Sequence, residues 1–147
     1  MEELIEKMKV VLASTFAAGL KAQAYHWNVI GSDFPQLHEF FEKIYSDYQG
    51  AVDELAEHIR QLDAFAPQTL TRMAELSIIQ EDEKVPTAEK MLGNLLTCNE
   101  NLKNTVVETY EMAEAQKAFG LSNYLQDRIT AHDKLNWMIK ATMGKKS

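Results

Sequence analysis

A chain of 147 residues, 46% of them hydrophobic and with only three prolines and six glycines, is long enough for one domain with a sizeable core built from long elements. Its net charge of -7 argues against a simple phosphate-binding surface, so duplex DNA is not an expected partner; the charge suits acidic channels or sites that attract cations. No run approaches the ~18 consecutive apolar residues of a membrane span, and the single cysteine, Cys98, allows no intrachain disulfide and fits a reducing compartment.

The N-terminus, Met1-Glu2-Glu3 followed by mixed charges, lacks the basic start and apolar centre of a signal peptide, so a cytoplasmic protein is expected. Leu4, Met8, Leu12, Phe16 and Gly19 recur at three- and four-residue spacing and continue through Gln23 to His26. They predict a first amphipathic helix ending near Gly31, with His26 on its buried stripe or at the edge. Ser32 or Asp33 is then placed to cap a second helix, with Pro35 tolerated in its first turn. Leu37, Phe41, Ile44, Tyr48, Val52, Leu55, Ile59 and Leu62 carry that helix for about 30 residues. Pro67 and Pro86 bracket a connection in which Leu70, Met73, Ala74 and Leu76 predict a short helix. A crossover of that length lets the second and third long helices run parallel. From Thr87, Leu92, Leu95, Leu102, Val106, Thr109 and Ala113 predict the third long helix, stopping near Gly120 as a left-handed terminal glycine. Ser122 is expected to cap the fourth, carried by Leu125, Ile129, Leu135, Met138 and Thr142 to Gly144. The reading is all-α, one domain over residues 1–147: a ferritin-like four-helix bundle with a long crossover carrying a short helix between helices two and three.

Five potential metal ligands, His26, His38, Glu42, Asp53 and Glu57, lie among residues that build this apolar core. An imidazole or carboxylate buried without a partner costs several kcal/mol, so such groups persist there when hydrogen-bonded, paired or bound to metal. His38 with Glu42 and Asp53 with Glu57 are i,i+4 pairs, each on one helix face and able to converge on one ion. The two pairs are fifteen positions apart, roughly 22 Å along the axis. One helix cannot close such a site on itself. An antiparallel two-fold mate would set His38 and Glu42 of one subunit opposite Asp53 and Glu57 of the other, giving two identical sites per dimer.

The string Tyr25-His26-Trp27-Asn28-Val29-Ile30-Gly31, then Phe34, Leu37-His38 and Phe41, then Asp53-Glu54-Leu55-Ala56-Glu57, resembles the signature of the Dps family of mini-ferritins. The resemblance runs on through Asp133, Trp137 and Met138. It implies a hollow homododecamer with di-iron sites at its two-fold interfaces, His26, His38 and Glu42 coming from one subunit and Asp53 and Glu57 from its mate. It also implies oxidation of Fe(II) to Fe(III), with hydrogen peroxide in preference to oxygen, and storage of ferric mineral, which starves the Fenton reaction. Imidazole and carboxylate ligands suit that chemistry, since they bind both iron states and leave coordination positions open. Three departures stand out. Glu42 occupies a position more often Asp; Asn123 replaces an expected Asp in a pore otherwise matched by Asp127 and Asp133; and no Lys-rich extension precedes the first helix, leaving Lys145 and Lys146 as terminal cations. DNA binding is therefore not expected; the alternative reading is a shell that coats nucleic acid and carries a vestigial iron site.

Blander readings apply elsewhere. Trp27 reads as interface packing, with a one-electron relay as the alternative. His58 and His132 read as surface or interface residues, and Glu39, Glu54 and the run Glu81-Asp82-Glu83 as solvated charges. Asp127 and Asp133 could equally pair with Arg128 or Lys134, and the seven methionines read as core filler.

Overall fold

A computed structural model describes residues 1–145. Five helices follow one another: α1 (Glu2–Asn28), α2 (Phe34–Gln61), α3 (Leu70–Leu76), α4 (Ala88–Ala115) and α5 (Phe119–Thr142). The described residues contain no strand, and no helix among them is long and apolar enough to cross a membrane. The predicted architecture is the observed one. α1 packs mainly on α2 and α4 on α5, α1 also meets α4, and the short α3 leans on α1 from the crossover.

The stripes read from the sequence face inward. Leu4, Met8 and Leu12 of α1 meet Phe41, Ile44, Leu55 and Ile59 of α2, Met91, Leu95 and Leu102 of α4, and Leu125 and Ile139 of α5 in one continuous core. Cys98 is buried with them, and that burial pushes its thiol up to about 12. α1 and α2 lie close together at Gly19, where a Cβ would stand 3.3 Å from the Gln49 side chain.

Helix ends depart from expectation in three places. α2 starts after Asp33, which makes no side-chain cap bond, with Pro35 in the first turn. Ser122 is not a cap but lies inside α5, its hydroxyl donating to the Phe119 carbonyl at 3.1 Å, and Gly120 lies inside α5 too. The residue that takes the left-handed conformation after α4 is Lys117, at φ 59°. There the Ala118 amide donates to the Ala113 carbonyl at 2.9 Å and the Lys117 amide to that of Glu114 at 3.0 Å, the paired closure of a Schellman motif. Asp63, at φ 64°, closes α2 in the same way, and Gly144, at φ 80°, closes α5. Backbone hydrogen bonds end these helices whatever side chain stands at the turn. By contrast, Thr69 and Thr87 cap α3 and α4 through their hydroxyls, which accept from the Arg72 and Lys90 amides.

His132, expected near the surface, is fully buried. Its Nδ1 donates to Asn99 Oδ1 at 2.7 Å, as does the Tyr48 hydroxyl at 2.7 Å. Asn99 in turn donates to the His132 carbonyl at 2.8 Å and to Asn136 Oδ1 at 2.7 Å, so every polar site of the Asn99 amide is used. His132 Nε2 has no hydrogen-bond partner among the described residues. This node ties α2, α4 and α5 together through the middle of the bundle. His58, by contrast, is only half-buried and stacks on Tyr124 at 4.8 Å.

Candidate metal centre

His26 belongs to the last turn of α1, and His38 and Glu42 to the first turns of α2, so the short α1–α2 turn folds them onto one another. The two imidazoles stack with centroids 3.8 Å apart and planes within 12°. Each is fixed by the other's backbone: His26 Nδ1 lies 2.6 Å from the His38 carbonyl, and His38 Nδ1 lies 2.7 Å from that of His26. A carbonyl oxygen only accepts, so both Nδ1 atoms carry the proton, and in each neutral ring the lone pair falls on Nε2. This is the second-sphere arrangement that sets tautomer and ring orientation in metal-binding histidines. Phe34 covers the His38 face at 4.9 Å, and Tyr45 meets His26 edge-on at 5.3 Å.

Glu42 reaches toward this pair, its Oε1 lying 3.8 Å from His26 Nε2, while the carboxylate stays more than half exposed. Asp53 and Glu57 are exposed further along α2 and do not join the other three within one subunit. No group of three or more His, Cys, Asp or Glu among the described residues could by itself hold a metal ion. Trp27 and Phe34, both exposed, stand beside the histidines.

At the candidate pore, Asn123 and Asp127 are exposed one turn apart on α5. Asp133 is exposed on another side of the helix, ion-paired with Lys103 of α4. Arg128 pairs instead with Asp47 of α2, its two terminal nitrogens 3.2 and 2.9 Å from the two carboxylate oxygens. Neither of the partners expected for the two aspartates, Arg128 or Lys134, is the observed one. Lys146 lies outside the described residues.

Sequence reasoning missed two residues next to the centre. Tyr25, immediately before His26, is buried, and its hydroxyl donates to Asp82 Oδ2. Burial, with the Asp82 carboxylate second, raises the phenol well above its ordinary value. Asp82 was expected to be solvated with its acidic neighbours; it is exposed as they are, but its carboxylate also accepts from Tyr25, Lys21 and Asn94. Nothing in an acidic triplet distinguishes the middle member.

Residues 5–146 match the family model of the ferritin-like domain, which sets the class of the chain. General stress protein 20U of Bacillus subtilis is 30% identical over 147 residues, covering 97% of this chain and 99% of its own. A nutrient stress-induced DNA-binding protein of a Nostoc species is 32% identical over 125 residues, covering 84% of this chain and 67% of its own. The crystal structure of the Dps protein of Vibrio cholerae, described as a ferritin-like diiron-carboxylate protein, superimposes with a TM-score of 0.92 at 28% identity, covering 97% of this chain and 89% of that one. Within the ferritin-like class, this chain belongs to the Dps family.

Proposed function

We propose that this protein is a cytoplasmic ferroxidase and iron store: a homododecamer that oxidises Fe(II), with hydrogen peroxide in preference to oxygen, and keeps the ferric mineral inside its shell. The observation that carries the reading is the reciprocal bond of each imidazole to the other's carbonyl, which leaves the lone pair of each ring on Nε2, that of His26 3.8 Å from Glu42 Oε1. His26, His38 and Glu42 bind Fe(II) from one side, and Asp53 and Glu57 of a two-fold mate complete the site. Trp27 and Phe34 pack into that interface. Two Fe(II) ions each give one electron to one peroxide, which with two protons leaves as two waters. Releasing no one-electron product of peroxide is what makes the reaction protective. The longer reach of Glu42 suits a carboxylate that closes on iron only when it arrives, and Asp127 lines the approach through the shell.

Mixing the protein with Fe(II) and peroxide is expected to give a rapid rise in ferric absorbance and a mineral core. Replacing His26 and His38 together by Gly should slow the rise at least about tenfold, since loss of partners behind metal ligands alone costs that much. An unchanged rate would show that these residues are not the site. A second reading, a shell that coats nucleic acid, is favoured by the DNA-binding name of the Nostoc relative and opposed by the charge of -7.

A further inference from the structure

We infer that the crossover works as part of the iron site: Asp82 and Tyr25 are positioning residues that hold the last turn of α1 in the conformation presenting His26. This rests on the function proposed above. His26 lies two residues before the end of α1 at Asn28, and beyond it the chain turns extended at Val29. The final turn of a helix lacks onward hydrogen bonds for its carbonyls, and helix ends open locally at little cost in free energy. A ligand placed there loses the ordering that its task requires unless something else fastens the turn.

Two sets of contacts fasten it. One face of the turn is locked to α2 through the paired histidines; the other is locked by Tyr25 to the crossover and α4. The Tyr25 hydroxyl donates to Asp82 Oδ2, and a bond to a charged acceptor is among the stronger kinds. Asn94 of α4 donates to the same hydroxyl at 3.2 Å and to Asp82 Oδ1 at 3.4 Å. Lys21, one turn back on α1, donates to the Gln80 carbonyl at 2.7 Å and to Asp82 Oδ2 at 3.2 Å. On its inner side the Tyr25 ring packs 6.1 Å from that of Phe41, the residue before Glu42. A movement of Tyr25 is therefore felt on both sides of the ligand set.

The rest of this segment is loosely seated. Residues Glu81 to Val85 are exposed, and cavities of about 280 Å³ against α1 and about 760 Å³ against α4 flank the segment. Asp82 is the point at which a thinly packed strap grips the bundle. That the strap reaches the back of the His26 turn gives its acidic residue a task that neither bundle stability nor solubility requires.

The test uses Tyr25→Phe and Asp82→Asn in the full chain, with Val106→Ala as a control that opens the core about 18 Å further along α4. Hydrogen exchange at the amides of residues 26–29 is measured alongside Co(II) binding, read from its visible absorption. Both clamp variants should exchange about tenfold faster in that turn and bind Co(II) about tenfold more weakly. The control should lower Tm without moving either readout. Exchange and Co(II) affinity at the unaltered level in both variants, with the parent binding Co(II) normally, would overturn the clamp alone. A parent that binds no Co(II) would remove the iron reading and the proposal with it.

Discussion

Removing an imidazole from water penalises its cation, and His132 is the residue where this penalty is largest. Burial first, and the nearby Arg128 guanidinium second, hold it at about 3 against 6.5 for an ordinary histidine. Asp47, Asp133 and Lys103 also act on it, the two carboxylates opposing the shift. With Nδ1 committed to Asn99 and Nε2 facing no acceptor, a second proton would create an unpaired buried charge. The folded-state value lies below the unfolded one, so this group's contribution is complete above pH 6.5 and is lost as pH falls toward 3. Between those limits each pH unit costs about 1.4 kcal/mol, or roughly 2 kcal/mol by pH 5. Urea unfolding of the parent and His132→Gln at pH 7 and pH 5 checks this: the variant should lose less stability on acidification, by about one proton's worth. Equal losses would show that His132 stays uncharged for no thermodynamic reason of its own. Neither His132 nor Asp82 was legible at this scale, because His132 depends on Asn99, 33 positions away, and Asp82 on Tyr25, 57 positions away. The spacing of His38, Glu42, Asp53 and Glu57, a local property of one helix, could be read directly.

At the level of helices, existence and order followed from apolar periodicity, and ends did not follow from punctuation. Gly120 and Ser122 carry the residue preferences of a stop and a start, yet α4 ends earlier and α5 starts earlier than either. The amides of Lys117 and Ala118 close the last turn of α4 before Gly120 is reached, and the chain re-enters helix at Phe119. Lysine in the left-handed region is disfavoured by its Cβ, by roughly 1–2 kcal/mol. Lys117→Gly is accordingly expected to stabilise the fold by about 1 kcal/mol, raising Tm by about 2–4 °C, measured by calorimetry. Gly144→Ala should shift it the other way. The nineteen positions of the crossover on either side of α3, 62–69 and 77–87, were the least legible, since they carry no period.

For the molecule as a whole, charge and assembly act together. The proposed shell would repeat the -7 of each subunit on every copy, a net charge that repels phosphate unless cations are concentrated somewhere. Incubated with duplex DNA at low salt, the protein should cause no band retardation. Retardation that disappears when the terminal Lys145 and Lys146 are removed would move the balance to the nucleic-acid reading. The sharing of the site between subunits is a proposal that rests on rise per residue alone; the reciprocal locking of the two histidines was not legible, because it needs the angle at which α1 meets α2.

Cys98 draws a last consequence from the depth at which α4 is packed. A vessel exposed to oxidant in its own working cycle is vulnerable wherever its wall offers sulfur in the anionic form that peroxide attacks. With its thiol pushed up to about 12, Cys98 stays protonated at cellular pH, and the surrounding side chains leave almost no approach to it. Under the function proposed above, the container would thus be filled repeatedly without its one thiol being consumed by the reagent it removes.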